Sequence, residues 1–222
     1  MNCPLSNFDK IKSKYIHKGF KIRKLNDYPY IVKINNLLNN EEISEILKLA
    51  KGKFEKSSVV IDGEIVYNNS QRNSSTAYLF EDGLPDKYSE NIERFIKRIR
   101  HLTRCKRSQI EMMCVRYKKG EKFDKHVDYF KEEDVGILDR GEQRIATFFI
   151  YLNSLEKGQG GETEFTKLGI KSTPKKGDSV FWFNKDFVSG EMIPETEHRG
   201  NPVKGETIKY GLNVWIRNND FY

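Results

Sequence analysis

The stretch TIKYGLNVWIR (207–217) alternates apolar and other residues in the way that a half-buried β-strand does. The alternation predicts one packing face, under helices, that consists of Ile208, Tyr210, Leu212, Val214 and Ile216. The opposite face combines a long cation, a glycine, an amide and a tryptophan: Lys209, Gly211, Asn213, Trp215 and Arg217. This second face is either a solvated outer surface or the wall of a ligand cavity. Glycine leaves room and lysine can bind an anion, which favours the cavity.

Other short runs that are β-branched or aromatic precede this strand. Glycine and proline separate them, and the runs are IEMMCVRY (110–117), RIATFFIYL (144–152), ETEF (162–165) and DSVFWF (178–183). Many short strands with this punctuation are typical of a β-sandwich or barrel. We therefore predict an α+β fold in which helices pack outside a β core.

The amino-terminal half supplies the helices. Asn39 begins one helix whose apolar residues recur through Ala50, and a second stripe runs from Tyr88 to Leu102, after a start near Pro85-Asp86. Residues 30–34 predict a strand, and a strand pair within 57–79 turns at Asp62-Gly63. Residues 1–28 show no clear period and are predicted to be an irregular arm. Because the chain contains no repeats or Pro/Ser-rich linker, we expect residues 29–222 to form a single domain.

Composition excludes several classes of protein. The chain has 222 residues, 37% of them hydrophobic, which is too apolar for a collagen or a disordered chain. It lacks a run of about 18 apolar residues that would span a membrane, and its first residues lack the apolar core of a signal peptide. We therefore expect a soluble protein, with the cytoplasm favoured.

Charge and cysteine content add two weaker expectations. The net charge of +7 comes from basic residues interleaved with acids, which favours a solvated surface over nucleic-acid binding. The cysteines Cys3, Cys105 and Cys114 are odd in number and widely spaced. They indicate neither a disulfide framework nor a zinc site.

The segment GEKFDKHVDYF (120–130) carries the candidate metal chemistry. In an extended backbone residues i and i+2 point to the same side, so His126 and Asp128 can converge on one ion. His198, just before the last strand, is the natural third ligand. Two histidines and one carboxylate with open positions favour a non-haem Fe(II) site. A single HxD triplet also occurs by chance, and both histidines could be ordinary polar residues.

Five segments in this order resemble the prolyl 4-hydroxylases, which are iron- and 2-oxoglutarate-dependent dioxygenases. They are RYKKGEKFDKHVDYF (116–130), QRIATFFIYLN (143–153), GGETEF (160–165), PKKGDSVFWFN (174–184) and HRGNPVKGETIKYGLNVWIR (198–217). The upstream segments 29–50 and 72–79 resemble the amino-terminal part of that family. The resemblance implies a double-stranded β-helix (jelly-roll) core at about 109–217, with supporting helices on its amino-terminal side.

The resemblance also implies roles for individual residues. The family's iron ligands correspond to His126, Asp128 and His198, and its lysine for the distal carboxylate of 2-oxoglutarate corresponds to Lys209. Counting from His198 instead gives Ile208, which cannot bind an anion, so the prediction requires a one-residue insertion. Tyr117 and Tyr151 match tyrosines that help to hold the cosubstrate in relatives; both could instead be core tyrosines.

The resemblance also implies that Arg144 and Trp215 contact a peptide substrate near the target proline. Strand parity points Arg144 away from Tyr151 unless the strand begins later or bulges. Arg72 could lie on a lid over the groove, or be a solvated loop arginine. The chain departs from the family at two positions, with Phe123 where some members have tyrosine and Arg217 where some have histidine, and both departures bear on substrate identity.

The resemblance implies 4-hydroxylation of prolyl residues. Fe(II) would be bound as the cofactor, 2-oxoglutarate and O2 would be consumed, and succinate and CO2 would be released. L-ascorbate would keep the iron reduced. A proline-rich or collagen-like protein is the expected partner, without membrane or nucleic acid, and we expect residues 57–75 and 129–143 to form lids. Two alternatives remain open: a related hydroxylase acting on lysyl residues or nucleic-acid bases, and a noncatalytic jelly-roll binding module.

Overall fold

The computed structural model describes residues 16–61, 64–67, 70–79, 88–131 and 142–220. Several sequence predictions lie outside these residues. They concern the hairpin turn at Asp62-Gly63, the helix start at Pro85-Asp86, most of the lid predicted at 129–143 and the first part of the arm.

Two antiparallel sheets form the core of the described chain, with strands numbered in chain order. The larger sheet has the spatial order β1 (Lys21–Asn26), β2 (Ile31–Asn35), β12 (Ser179–Phe183), β9 (Arg144–Tyr151), β14 (Lys209–Arg217), β7 (Ile110–Tyr117), β6 (Ser75–Tyr78) and β3 (Glu55–Lys56). The smaller sheet has the order β11 (Ile170–Ser172), β10 (Thr163–Phe165), β13 (His198–Gly200) and β8 (Phe123–His126). The predicted hairpin is present as β4 (Ser58–Ile61) and β5 (Glu64–Tyr67).

Two helices support the larger sheet. Helix α1 (Asn40–Ala50) begins with a capping box in which the Glu42 amide donates to Asn39 Oδ1 at 2.8 Å, and the Asn39 amide donates to Glu42 Oε2 at 3.0 Å. Helix α2 (Glu90–Thr103) begins after Ser89. Arg98 of α2 donates to Glu42 at 3.0 Å, so a buried ion pair joins the two helices.

The apolar side chains form two clusters. One lies between the helices and the larger sheet and includes Leu212, Val214 and Ile216. The other lies between the two sheets and includes Trp215 and Phe165. Strand β14 therefore contributes to a different cluster from each face, as its alternation predicts, and the predicted α+β arrangement is confirmed.

Part of the predicted arm is ordered as a strand. Residues 21–26 form β1, which pairs with β2 at the edge of the larger sheet, so the prediction of irregular structure there is wrong. The sequence gives no clear signal because an edge strand with mostly exposed basic side chains lacks apolar alternation. Among the described helices, none combines the length and apolar character needed to cross a bilayer.

Candidate active site

His126, Asp128 and His198 come together at one end of the smaller sheet. His126 ends β8, and His198 is its direct cross-strand partner on β13. Asp128 follows two residues after His126. Its Oδ1 lies 3.8 Å from His126 Nε2, and its Oδ2 lies 4.0 Å from His198 Nε2. The three donor atoms lie within 4.8 Å of one another, close enough for one ion to draw them together.

Hydrogen bonds orient both imidazoles for metal binding. His126 Nδ1 lies 2.7 Å from the Asp124 carbonyl oxygen, and His198 Nδ1 lies 2.9 Å from the Thr196 carbonyl oxygen. A carbonyl can only accept, so each Nδ1 carries the hydrogen and donates it. The lone pairs on the two Nε2 atoms therefore face Asp128, in the arrangement that metal-binding histidines adopt.

The protonation states also suit a cation. Burial, followed by the neighbouring His198, lowers the pKa of His126 to about 3. Burial by itself would raise the pKa of Asp128, but His198, His126, Arg144 and the Thr147 hydrogen bond outweigh it, and the pKa is lowered. Near neutral pH His126 is thus a neutral imidazole and Asp128 an ionised carboxylate, the forms that bind metals.

Two stacked side chains support His126 from one side. The Phe123 ring lies 3.5 Å from the His126 ring, centroid to centroid, and is nearly parallel to it. The Arg72 guanidinium carbon lies 4.5 Å from the centroid of the Phe123 ring. Arg72 is 8% exposed and donates to Ser74, Thr76 and the Ser58 carbonyl oxygen, which excludes the solvated loop arginine.

Lys209 lies at the other side of the pocket, on the inward face of β14. The residue is 1% exposed, whereas Ile208 is 39% exposed, so the structure brings the lysine into the pocket. Within the described part of the chain, Nζ has no hydrogen bond or ion pair, and it lies 4.7 Å from the centroid of the Phe149 ring. Burial lowers the pKa of Lys209 to about 7 and outweighs the opposing charge of Glu162.

The neighbouring glycine has a different consequence from the one expected. A Cβ on Gly211 would lie 2.5 Å from Cζ of Phe149. The space that Gly211 leaves is therefore occupied by a phenyl ring, and not by a ligand. That ring forms the wall beside Lys209 Nζ.

The two predicted tyrosines differ in their environment. Tyr117 is opposite Lys209 on β7, and its side chain lines the pocket. Tyr151 is fully buried and does not line the pocket; its hydroxyl lies 2.9 Å from both Thr163 Oγ1 and the Ser172 carbonyl oxygen. A hydroxyl has one hydrogen and the carbonyl can only accept, so the hydrogen goes to Ser172. The role of each tyrosine toward a cosubstrate stays a prediction.

A cluster of charged side chains surrounds Trp215 of β14. The Arg144 guanidinium carbon stacks 3.5 Å from the centroid of the Trp215 ring, and Arg144 Nε donates to Glu111 at 3.1 Å. Arg217 NH1 donates to the same Glu111 oxygen, Oε2, at 3.4 Å. A β-bulge between residues 144 and 146 turns Arg144 to the pocket side, and this is the bulge that strand parity demanded.

Together these side chains line a cavity of about 760 Å³. Sequence reasoning missed Glu111, Thr147 and Asn184, all polar residues within or next to apolar strands. For Glu111 a signal existed, because it shares a face of β7 with Met113, Val115 and Tyr117.

Comparison with known proteins identifies the family. Residues 112–217 match the family model described as the 2OG-Fe(II) oxygenase superfamily. Probable prolyl 4-hydroxylase 7 of Arabidopsis thaliana is 30% identical over 240 residues, which cover 96% of this chain and 71% of the relative. The chain belongs to the prolyl 4-hydroxylase family. This confirms the resemblance inferred from the motifs.

Two other members of the family refine the comparison. The prolyl 4-hydroxylase subunit alpha-2 of Gallus gallus is 32% identical, but the match spans 36% of that longer protein. The crystal structure of the viral collagen prolyl hydroxylase vCPH from Paramecium Bursaria Chlorella virus-1, a 2OG complex, shares 31% identity with a TM-score of 0.63. It covers 84% of this chain and 95% of the viral one, and the predicted jelly-roll core is thereby confirmed.

Proposed function

We propose that this protein is an Fe(II)- and 2-oxoglutarate-dependent dioxygenase that hydroxylates prolyl residues, at the 4-position, in a proline-rich or collagen-like peptide. The observation that carries the proposal is one pocket with two complementary ends. Three metal donors face it from the smaller sheet and its adjoining loop, and a buried ammonium, to which the described residues supply no ion pair, faces it from β14. Neither feature stabilises the protein by itself. A ferrous ion would bind the three donors, and a dicarboxylate would neutralise the ammonium.

The donor set fits ferrous iron. His126, Asp128 and His198 contribute two nitrogens and one oxygen from one side, which leaves the opposite positions of an octahedral ion for other ligands. A zinc site more often uses three or four protein ligands in tetrahedral geometry. When bound, iron together with 2-oxoglutarate activates O2 for insertion into a C–H bond and releases succinate and CO2.

The chain's own groups would hold the cosubstrate at its far end. Isolated burial of an ammonium is costly, and the lowered pKa of Lys209 reflects that cost. A carboxylate next to Nζ would restore the charged form and form a strong hydrogen bond. Tyr117, beside Lys209, can add a hydroxyl donor. Tyr151 can take the same role only if its hydroxyl hydrogen turns away from the Ser172 carbonyl oxygen. Orienting the keto acid before the reaction lowers the entropic barrier.

The peptide would enter beside Trp215. The guanidinium of Arg144 stacks on Trp215 and is held by Glu111. Arg144 and Trp215 therefore form a rigid wall with a cationic edge. We propose that Arg144 and Trp215 contact the peptide backbone next to the target proline, and that Arg72 adds a contact from beneath the β4–β5 hairpin. Proline-rich chains are already extended in solution, which reduces the ordering cost of binding in such a cavity.

The activity is tested with a panel of substrates. Purified protein with Fe(II), 2-oxoglutarate and ascorbate would be assayed for succinate release with (Pro-Pro-Gly)n, poly-Pro, lysyl peptides and oligonucleotides. We expect release with the prolyl peptides, together with a mass increase of one oxygen atom on proline. Turnover with oligonucleotides or lysyl peptides alone would contradict the prolyl assignment, and no turnover with any substrate would favour a binding module. Omitting ascorbate should shorten the time over which the protein releases succinate.

The affinity for 2-oxoglutarate should fall as the pH rises. Only the protonated form of Lys209 attracts a carboxylate, and with a pKa of about 7 in the free protein that form is lost above neutrality. The KM for 2-oxoglutarate should therefore increase about tenfold between about pH 6 and pH 8. Initial rates at saturating peptide and constant ionic strength measure it. A keto acid without the distal carboxylate, such as 2-oxobutyrate, provides the control, and an equal pH dependence for both acids would contradict the role.

A further inference from the structure

Two buried polar side chains lie behind Asp128. Thr147 is in the middle of β9, and Asn184 immediately follows β12; both residues are fully buried. Their neighbours in these strands are mostly apolar. The roles proposed above use neither of them, and a buried hydroxyl or amide is costly unless it finds hydrogen-bond partners.

The direction of each hydrogen bond in this group follows from its chemistry. Thr147 Oγ1 donates its hydrogen to Asp128 Oδ2 at 2.7 Å, because a metal-binding carboxylate can only accept. Asn184 Nδ2 donates to Thr147 Oγ1 at 2.9 Å and to the Arg144 carbonyl oxygen at 3.1 Å. That carbonyl also only accepts, so the nitrogen of the Asn184 amide must face it.

The same asparagine lies against the bulge in β9. Besides the side-chain bond to the Arg144 carbonyl, the Asn184 backbone amide donates to the Ile145 carbonyl oxygen at 2.9 Å. These are the residues at which the register between β9 and β14 shifts. The shift is what turns the Arg144 side chain toward Trp215. Asn184 thus contacts both the group that holds Asp128 and the backbone that presents Arg144.

We propose that Thr147 and Asn184 are positioning residues for the reaction. Thr147 fixes the Asp128 carboxylate by occupying Oδ2, which leaves Oδ1 for the metal. Asn184 fixes the Thr147 hydroxyl and the bulge together, and so sets the distance between the metal donors and the Arg144–Trp215 wall. The inference rests on the proposed iron site, but it concerns side chains outside the ligand set.

Metal affinity tests the role of Thr147 without turnover. Co(II) would be titrated into the apo protein and followed by its visible absorption, for the wild type, Thr147→Val, Thr147→Ser and Thr147→Ala. Loss of a hydrogen-bond partner of a metal ligand typically weakens binding 10- to 100-fold. We expect Thr147→Val to bind Co(II) about tenfold more weakly than the wild type. We expect the same factor between Thr147→Ala and Thr147→Ser. Both members of the latter pair lack the methyl group, so their difference reports the hydroxyl even if Thr147→Val does not fold.

A buried threonine elsewhere serves as the control. Thr103 donates its hydroxyl to the Ile99 carbonyl oxygen within α2 and not to a metal ligand, so Thr103→Val should bind Co(II) as the wild type does. If Thr147→Val binds Co(II) as tightly as the wild type, and Thr147→Ala as tightly as Thr147→Ser, the proposal is overturned while the proposed function stays intact. Failure of the wild type itself to bind Co(II) or Fe(II) would instead reject the proposed iron site.

The effect of Asn184 should extend to the peptide. For Asn184→Leu, or Asn184→Ala if the first variant does not fold, we expect weaker Co(II) binding and at least a threefold higher KM for the prolyl peptide. Thr147→Val should raise the peptide KM less, because it leaves the bulge contacts in place. An Asn184 variant that changes neither quantity, or only the melting temperature, would show a purely structural asparagine.

Discussion

Replacing Asp128 with alanine should abolish prolyl hydroxylation and weaken metal binding by more than about a hundredfold. Among the three donors only Asp128 carries a negative charge, and it is 8% exposed, so solvent cannot replace it easily. The variant would keep only a pair of imidazole donors, from His126 and His198. Such a pair binds a hard ferrous ion much more weakly than a set with a carboxylate.

The measurement combines Fe(II) or Co(II) titration with succinate release in the presence of peptide. Asp128→Asn is the sharper variant, because an amide oxygen can still accept the hydrogen from Thr147 while the charge is lost. Asp27→Ala removes an exposed carboxylate in the turn between β1 and β2 and should behave as the wild type does. Normal coupled turnover by either Asp128 variant would reject this cluster as the iron site.

The metal cluster could be predicted from sequence because its geometry is largely local. An HxD triplet on extended backbone presents both side chains to the same side, whatever the rest of the fold does. The cross-strand partner, His198, required an additional inference from its order along the chain. The structure places it directly opposite His126, although β8 and β13 are too short to be recognised from apolar alternation.

Arg72 and Arg144 could not be placed from the sequence. Arg144 reaches the pocket through a bulge, and one inserted residue inverts the parity on which a strand prediction depends. Arg72 is buried because Ser74, Thr76 and Ser58 satisfy its guanidinium, and no sequence period marks that network. Thr147 and Asn184 were missed for a related reason, since a single polar residue in an apolar strand usually has only a packing role.

The Lys209→Met variant should raise the KM for 2-oxoglutarate about a hundredfold, with a smaller change in kcat. Removing one member of a buried charge pair in a binding site costs enough free energy for a change of that size. Methionine fills a similar volume, so the walls formed by Phe149 and Tyr117 should keep their packing. Iron binding should be unaffected, because the lysine lies on β14 and the metal donors belong to the smaller sheet and its adjoining loop. Lys157→Met, at an exposed turn, is the matched control.

Thermal unfolding separates a binding role of Lys209 from a structural one. In the described structure its ammonium is buried without an ion pair, so it costs folding free energy when no anion is bound. The free Lys209→Met protein should therefore melt at the same temperature as the wild type or higher, and should gain little from added 2-oxoglutarate, whereas the wild type should be stabilised by it. Destabilisation of the free variant, with an unchanged requirement for 2-oxoglutarate, would mean that Lys209 belongs to the core and that another cation binds the cosubstrate.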